Sequence, residues 1–442
     1  MALQKTLAVR PTPEEEVKVL EVEKEILKLC QVLGAQGSLR RMGAFYLGVP
    51  ERNAELDLVF VLPEGSATQP AELLEKLQNA LPKAIRSFPQ GSLNAPGLRW
   101  RASHARHVQL FLAKEEKPNP STPAPSAIPP SLAALYAHEV SSQILASVPS
   151  QEVFQDLLRV VKHWAKRRGL YGNLFGFFDG TTWALCCARV CQLHPKAVLH
   201  DLLQFFFALL GRSDWSSPIA LDTGDSLAPT VPMVPGTLMQ LPGNVYGPAR
   251  AAHYEVSESV MRVVQRELRR AEQKRVPELW AEHQFFSRHR HYIRFDFMAS
   301  SDEILEKWWA WGQQQLPELL HIFESQLDSK VSLRPWPSSL IFKDESWSHT
   351  KAVFIGLHIQ QAEQKCTLDL REIMVKFLER ISAWPEAEAH QKQFELMIRA
   401  VSSQEMQSWL RDQGSPGVKA LEHEVMSPSR KDGYGPAMAA TA

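Results

Sequence analysis

The sequence has no surplus of either charge: 49 Lys and Arg stand against 49 Asp and Glu in 442 residues. A polybasic strategy for holding nucleic acid is thereby excluded, and any contact with phosphates has to come from local patches. Long hydrophobic runs are also missing. The stretch DLLQFFFALL at 201–210 falls short of the roughly 18 residues that a bilayer span requires and suits a buried helix. The opening MALQKTLAVRPTPEEE lacks the apolar core of a signal peptide and turns acidic at once. Cysteines are few and odd in number, five at positions 30, 186, 187, 191 and 366, with no CxxC pair. A disulfide framework and a cysteine zinc site are therefore not expected; buried thiols in a reducing compartment are. These absences together lead us to expect a soluble intracellular protein with no membrane partner.

What is present can fold. Hydrophobic residues make up 44% of the chain, enough for two or three domains with cores of their own and too many for a disordered chain. Residues 13–33 carry Val17, Leu20, Ile26, Leu27, Cys30 and Leu33 at helical spacing, with Gly34 as the stop. A glycine turn at Gly43 leads to an apolar strand, Leu56 to Leu62, then a helix over 71–86 and a strand in RHVQLFLA, 106–113. The Pro- and Ser-rich 114–130 reads as a linker. Residues 131–212 read as all-helical, clearest in VFQDLLRVVKHWAKRRG (153–169) with Ser150 as its cap, followed by a very apolar helix from Thr182 to Leu193. Residues 213–250 read as irregular, and 255–274 as a helix. From 285 the pattern becomes strand, Trp-rich helix, two strands and a helix at 368–382, a small α+β sandwich. The tail from about 413 is expected to be disordered.

Three fragments carry candidate chemistry. In GAFYLGVPERNAELDLVF, strand alternation puts Glu55 and Asp57 on one face, roughly 6.6 Å apart along the strand, with Leu56, Leu58 and Phe60 turned to a core. Two carboxylates on a wet face can hold hard divalent cations, and the Gly43 turn could lay backbone N–H groups against phosphates. The same fragment also reads as an exposed strand start with solvated acids. The helix 153–169 gathers Arg159, Lys162, Lys166, Arg167 and Arg168, followed by Tyr171 and Asn173. That grouping suits a triphosphate and a base, or else simply favours the helix dipole. In HQFFSRHRHYIRFDF (283–297), Arg288, Arg290 and Arg294 interleave with Phe285, Phe286, Tyr292 and Phe295. The mixture suits single-stranded nucleic acid, or a half-buried strand with a polar face. His283, His289 and His291 lack the further ligands that a metal site would need.

The block QDLLRVVKHWAKRRGLYGNLFGFFDGTTWALCCARVCQLHP (155–195) resembles the central domain of eukaryotic nuclear poly(A) polymerase, with its KRRG helix end, LGF-type loop and WA…AR.CQL helix. The likeness extends through QILASVP (143–149), HYEVSESVMRVV (253–264), FFSRHRHYIRF (285–295) and AVFIGLHI (352–359), in order, over roughly residues 13–400. It implies an α+β multidomain chain. A nucleotidyltransferase α/β domain would occupy 1–130, a helical central domain 131–284 and an RNA-recognition-like α+β sandwich 285–412, with the tail 413–442 beyond. It further implies a monomer in the nucleus, acting with mRNA 3′-processing proteins and adding AMP from ATP to RNA 3′ ends without a template.

In that family three carboxylates hold two Mg²⁺ (or Mn²⁺) ions. Carried over residue by residue, the family's Gly-Ser turn falls on Gly43 and Ala44, without the serine hydroxyl, and an arginine falls on Tyr46. The carboxylate pair falls on Glu55 and Asp57, the third carboxylate near Gln109, so the resemblance implies Asp57 and Glu55 as catalytic residues and, with Gln109, as metal ligands. The phosphate lysine falls on Lys162, the nucleotide tyrosine on Tyr171 and its neighbour on Asn173. The glycine pair and valine fall on Asp179, Gly180 and Thr181, and an LNGCR motif has become LYAHE (135–139). An ATP-binding side that is kept beside an eroded metal face leaves two further expectations open: a catalytically weakened relative that scaffolds RNA or processing proteins, and a transferase with altered nucleotide choice.

Overall fold

The computed structural model describes residues 11–52, 54–87, 97–115, 130–215, 218–222, 239–241, 250–252, 256–274, 276–327, 330–342, 344–359 and 370–413. The linker expected at 114–130 and the tail beyond 413 lie almost wholly outside these residues. Two compact units divide the chain: Met1–Lys166 with Phe178–Glu255 and Gln265–Ala281, and Arg167–Phe177 with Val256–Val264 and Glu282–Ala442.

The first unit is built on a five-stranded sheet in the order β1-β2-β5-β4-β3, where β1 is Ser38–Arg41, β2 Leu56–Leu62, β3 Ile85–Ser87, β4 Gly97–Arg101 and β5 His107–Lys114. Only β2 and β5 run parallel. The helix Pro13–Val32, opened by a Thr12 capping box, lays Val19, Val22, Ile26 and Cys30 on one face of the sheet, beside Leu73, Leu74 and Leu77 of the helix Pro70–Ala80. They pack with Leu56, Leu58, Phe60, Leu62, Leu110 and Leu112. Val59, Val61, Phe111 and Ala113 face the other way, onto Ala133–Leu135 of the helix Pro130–Ser147. A sheet covered on both faces explains why β2 is apolar throughout except at Asp57.

The helix expected over 71–86 ends at Ala80, because Pro82 keeps Leu81 out of the helical region, and β3 takes up its last residues. The helix Gln151–Arg167 buries Phe154, Leu157, Leu158, Val161 and Trp164. Trp164 meets Trp183 of the helix Gly180–Leu193 and Phe207 of the helix Leu199–Arg212 edge-on. Cys186, Cys187 and Cys191 are free thiols in this interior, and Cys30 is buried on the sheet; burial pushes Cys191 up to about 11 and Cys30 to about 12. The reading of 213–250 as irregular is corrected at one point: β6 (Met239–Leu241) pairs with β7 (Arg250–Ala252).

The second unit carries an antiparallel sheet in the order β10-β11-β8-β12, with β9 also on β11. Here β8 is His291–Ala299, β9 Val331–Pro335, β10 Leu340–Phe342, β11 His349–Ile359 and β12 Phe394–Ser402. The helix Asp302–Gln326 brings Trp308 and Trp309 against Phe297. Its Gly312 permits the approach: a Cβ there would lie 2.1 Å from the Phe297 ring. The helix Ser403–Asp412 places Met406 and Leu410 in a core with Phe285, Phe286, Tyr292 and Phe354. Neither β12 nor this last helix is expected from the sequence, since FELMIRAV fits both strand and helix periodicity.

Candidate active site

Asp57 is the polar exception in β2, and its surroundings follow from sheet register. Parallel pairing sets Asp57 opposite Gln109 on β5. Antiparallel pairing sets Gln109 opposite Arg99 on β4. Directly paired residues share a face, so Asp57, Gln109 and Arg99 form one row across three strands, about 4.8 Å per step. Arg99 donates from Nε to Glu55 Oε1 at 2.5 Å, closing the row onto the acid two residues before Asp57. Gly43 begins a single helical turn, Gly43–Tyr46, beside the row. Its φ of +51° suits glycine, and a Cβ there would lie 3.2 Å from Asp57 Oδ2. The Met42 amide donates to the Asp57 carbonyl at 2.8 Å, fixing the turn against the strand.

The helix Gln151–Arg167 reaches the same neighbourhood through the segment after the turn. Arg159 donates to the Gly48 carbonyl and pairs with Asp156 at 2.8 Å. Lys166 pairs with Glu51 at 2.7 Å, and Lys162 donates to the Val49 carbonyl at 3.3 Å. Lys162 is 5% exposed. Burial, with Lys166 and Arg159 nearby, brings its ammonium down to about 8, while Glu51 and Asp57 oppose the shift. Burial and the like charge of Glu55 push Asp57 up to about 7, against the pull of Arg99 and Lys162. Although burial works against it, Lys166 and Lys162 hold the Glu51 carboxyl below its ordinary range. An acid shifted up and a base shifted down within one electrostatic field are characteristic of sites that carry chemistry.

The other expected residues fall as follows. Ala44 is half-buried in the Gly43 turn, and its carbonyl accepts from Val49 N at 2.9 Å. Tyr46, where the resemblance puts an arginine, meets His138 of the LYAHE segment edge-on at 4.6 Å. Asp179 caps the helix Gly180–Leu193 by accepting from the Thr182 amide and hydroxyl, each at 2.8 Å. Gly180 and Thr181 lie half-buried in that helix's first turn. Tyr171 and Asn173 are half-buried in the second unit. Sequence reading misses Arg99 and Glu51. Arg99 leaves one trace, the alternation in GLRWR that sends Leu98 and Trp100 to the core and Arg99 to the Asp57 face; Glu51, in a loop, leaves none.

The basic and aromatic stripe after 283 needs correction. Phe285, Phe286, Tyr292 and Phe295 are core residues, so they offer no stacking platform. Arg294 is 6% exposed, binds Asp296 through Nε at 2.9 Å and Nη2 at 2.6 Å, and lies over the Trp409 ring at 4.6 Å. It is a buried structural ion pair rather than an RNA contact, because a strand covered on both faces has no polar side to present. Arg288 and Arg290 remain exposed.

Three carboxylates would be needed around two divalent ions, and the row does not supply them. Glu55 is ion-paired with Arg99, the residue beside Asp57 is the neutral Gln109, and among the described residues no group of three or more His, Cys, Asp or Glu is gathered as for a metal. The residues present do not fit a two-ion centre.

Residues 153–284 match the family model "Poly(A) polymerase central domain". Nuclear poly(A) polymerase 4 of Arabidopsis thaliana is 28% identical over 277 residues, 58% of this chain and 37% of the relative. Nuclear poly(A) polymerase 1 of the same plant is 27% identical over 382 residues, 79% of this chain and 53% of the relative. Poly(A) polymerase of Dictyostelium discoideum is 27% identical over 306 residues, 64% and 38% of the two chains. The chain thus spans between about a third and a half of the length of these relatives. Among solved structures, the Cid1 poly(U) polymerase with Mg and 3'-dATP bound gives a TM-score of 0.44 at 14% identity, covering 63% of this chain and 97% of that one. Residues 153–284 thus match the poly(A) polymerase central domain, and the longer stretches on either side of them make the chain similar to the nuclear poly(A) polymerases of the plant.

Proposed function

We propose that this chain adds AMP from ATP to RNA 3′ ends without a template, and does so slowly. The observation that carries the reading is geometric: Lys162, on the matched central-domain helix, donates to Val49, whose amide is bound to the same Gly43 turn that packs on Asp57. In the reaction the RNA 3′ oxygen bonds the α-phosphorus of ATP, and the α–β bridging bond breaks. Pyrophosphate leaves with that electron pair, and the hydroxyl proton passes to a carboxylate, for which Asp57 is the candidate. Lys162 would neutralise triphosphate oxygens through charge-assisted hydrogen bonds. Gly43, Ala44, Gly180 and Thr181 would border the nucleotide, with Tyr171 and Asn173 contacting it. The exposed Arg288 and Arg290 would hold RNA phosphates. The segments 1–130, 131–284 and 285–412 would be the catalytic, central and RNA-binding domains. The family implies a divalent cation, Mg²⁺ or Mn²⁺. The names of the plant relatives support a nuclear location, where mRNA 3′-processing proteins would be partners.

A second reading, RNA binding without turnover, is favoured by one feature: Glu55 already has a cation in Arg99, and Gln109 can take no proton. The deciding experiment follows labelled ATP, CTP, GTP and UTP onto an oligo(A) primer, with Mg²⁺ and then Mn²⁺. A ladder with ATP is expected. No extension under either ion, with RNA binding retained, would leave the second reading standing.

A further inference from the structure

The misfit between the Asp57 row and a two-ion centre has a definite shape. Three strands deliver an acid, an amide and a guanidinium side by side, and the guanidinium reaches to the acid two residues before the first. A guanidinium stays charged at every pH a protein survives, so Glu55 has a counter-cation supplied by the chain itself at any pH. Gln109 makes the arrangement possible. An acid at 109 would stand directly beside Arg99 and compete with Glu55 for it. We propose that Arg99 is a built-in counter-cation, whose guanidinium on Glu55 takes the electrostatic place of one divalent ion, so that the recess admits at most a single divalent cation, at Asp57.

The inference rests on reading Asp57 and Glu55 as the metal-facing carboxylates of the family, and it adds a residue that controls what they can hold. Both ends of the pair reach solvent, the Arg99 side chain 48% and Glu55 29% exposed, so the pair is exchangeable and a cation can compete for the acid. Arg99 is then a positioning residue for charge.

The test is Mn²⁺ binding by the full chain, read from the electron paramagnetic resonance of the free aquo ion. Circular dichroism and melting would confirm that each variant is folded. The wild-type protein should bind no more than one Mn²⁺ per chain in an Asp57-dependent way, abolished by Asp57→Asn. Arg99→Gln should tighten Mn²⁺ binding about tenfold or more, by freeing Glu55. Arg99→Lys, which keeps the charge, should stay near the wild type. Arg99→Gln with Glu55→Gln should lose the gain. The proposal is overturned if Arg99→Gln leaves Mn²⁺ affinity unchanged or weaker, if Arg99→Lys behaves like Arg99→Gln, or if the wild type binds two Mn²⁺ ions at these carboxylates. Because ion binding is the readout, an absence of AMP addition would refute the transferase reading and leave this result intact.

Discussion

Replacing Asp57 by Asn should stabilise the protein, increasingly so as pH rises from about 4 to about 7. In the folded state the Asp57 carboxyl is raised from 3.8 to about 7 by burial and by the Glu55 charge. A raised value means that the folded state holds this proton more tightly than the unfolded chain does. The stability it contributes is complete below about pH 4 and is lost as pH rises to about 7. Beyond that point the ionised acid is carried at full cost. Three pH units at about 1.4 kcal/mol each set a ceiling of about 4 kcal/mol. Asp57 keeps some access to water, and the loss of its charge also removes support from the Lys162 ammonium, so about 1–3 kcal/mol is the expected gain for Asp57→Asn at pH 7.5. The assay is urea unfolding of both forms at pH 4.5, 6 and 7.5, with EDTA present. The difference should be small at pH 4.5 and grow with pH, and the variant should lose adenylyl transfer. A variant less stable than the wild type at pH 7.5, or equally displaced at all three values, would refute the reasoning.

Lys162→Ala should weaken ATP binding tenfold or more in titration calorimetry, about 1.5–3 kcal/mol for a charge-assisted bond. Lys162→Met should raise the urea midpoint at pH 7, because an ammonium brought down to about 8 is carried charged, at a cost, below that pH. For RNA, Arg288→Ala and Arg290→Ala in the full chain should each lower the salt slope of oligo(A) binding by about 0.7 per lost phosphate contact. Arg294→Ala should instead lower the melting temperature, since breaking a buried pair costs about 3–5 kcal/mol. Gln109→Asp, alone or with Glu55→Asp, should raise turnover of AMP addition with ATP affinity unchanged, by adding a second acid beside Asp57; a lower rate would count against the role given to position 109.

Much of the fold was legible because local pattern and tertiary demand agreed. The apolar run Leu56–Leu62 reads as a strand from its pattern, but the sequence suggested a wet face at Asp57, and only the packing of Val59, Val61, Phe111 and Ala113 on Ala133–Leu135 shows that both faces are covered. The helix Gln151–Arg167 announced itself through its period, Ser150 cap and terminal cations. Its cation end looked like a dipole decoration or a phosphate site, and pattern alone could not say which. Charge interleaved with aromatics after residue 283 misled, since the sequence shows alternation but not whether the second face of a strand is covered. Arg294 lies in a strand that is covered on both sides, so it serves Asp296. The opposite error concerns Arg99, an unremarkable residue in a short strand. Its meaning depends on a register linking positions 57, 109 and 99, and register is set by hydrogen bonds between segments far apart in the chain. Composition and periodicity therefore determined which segments bury and which carry charge. Only the pairing of strands decided which charges meet, because electrostatic energy depends on distance in space and not on distance along the chain.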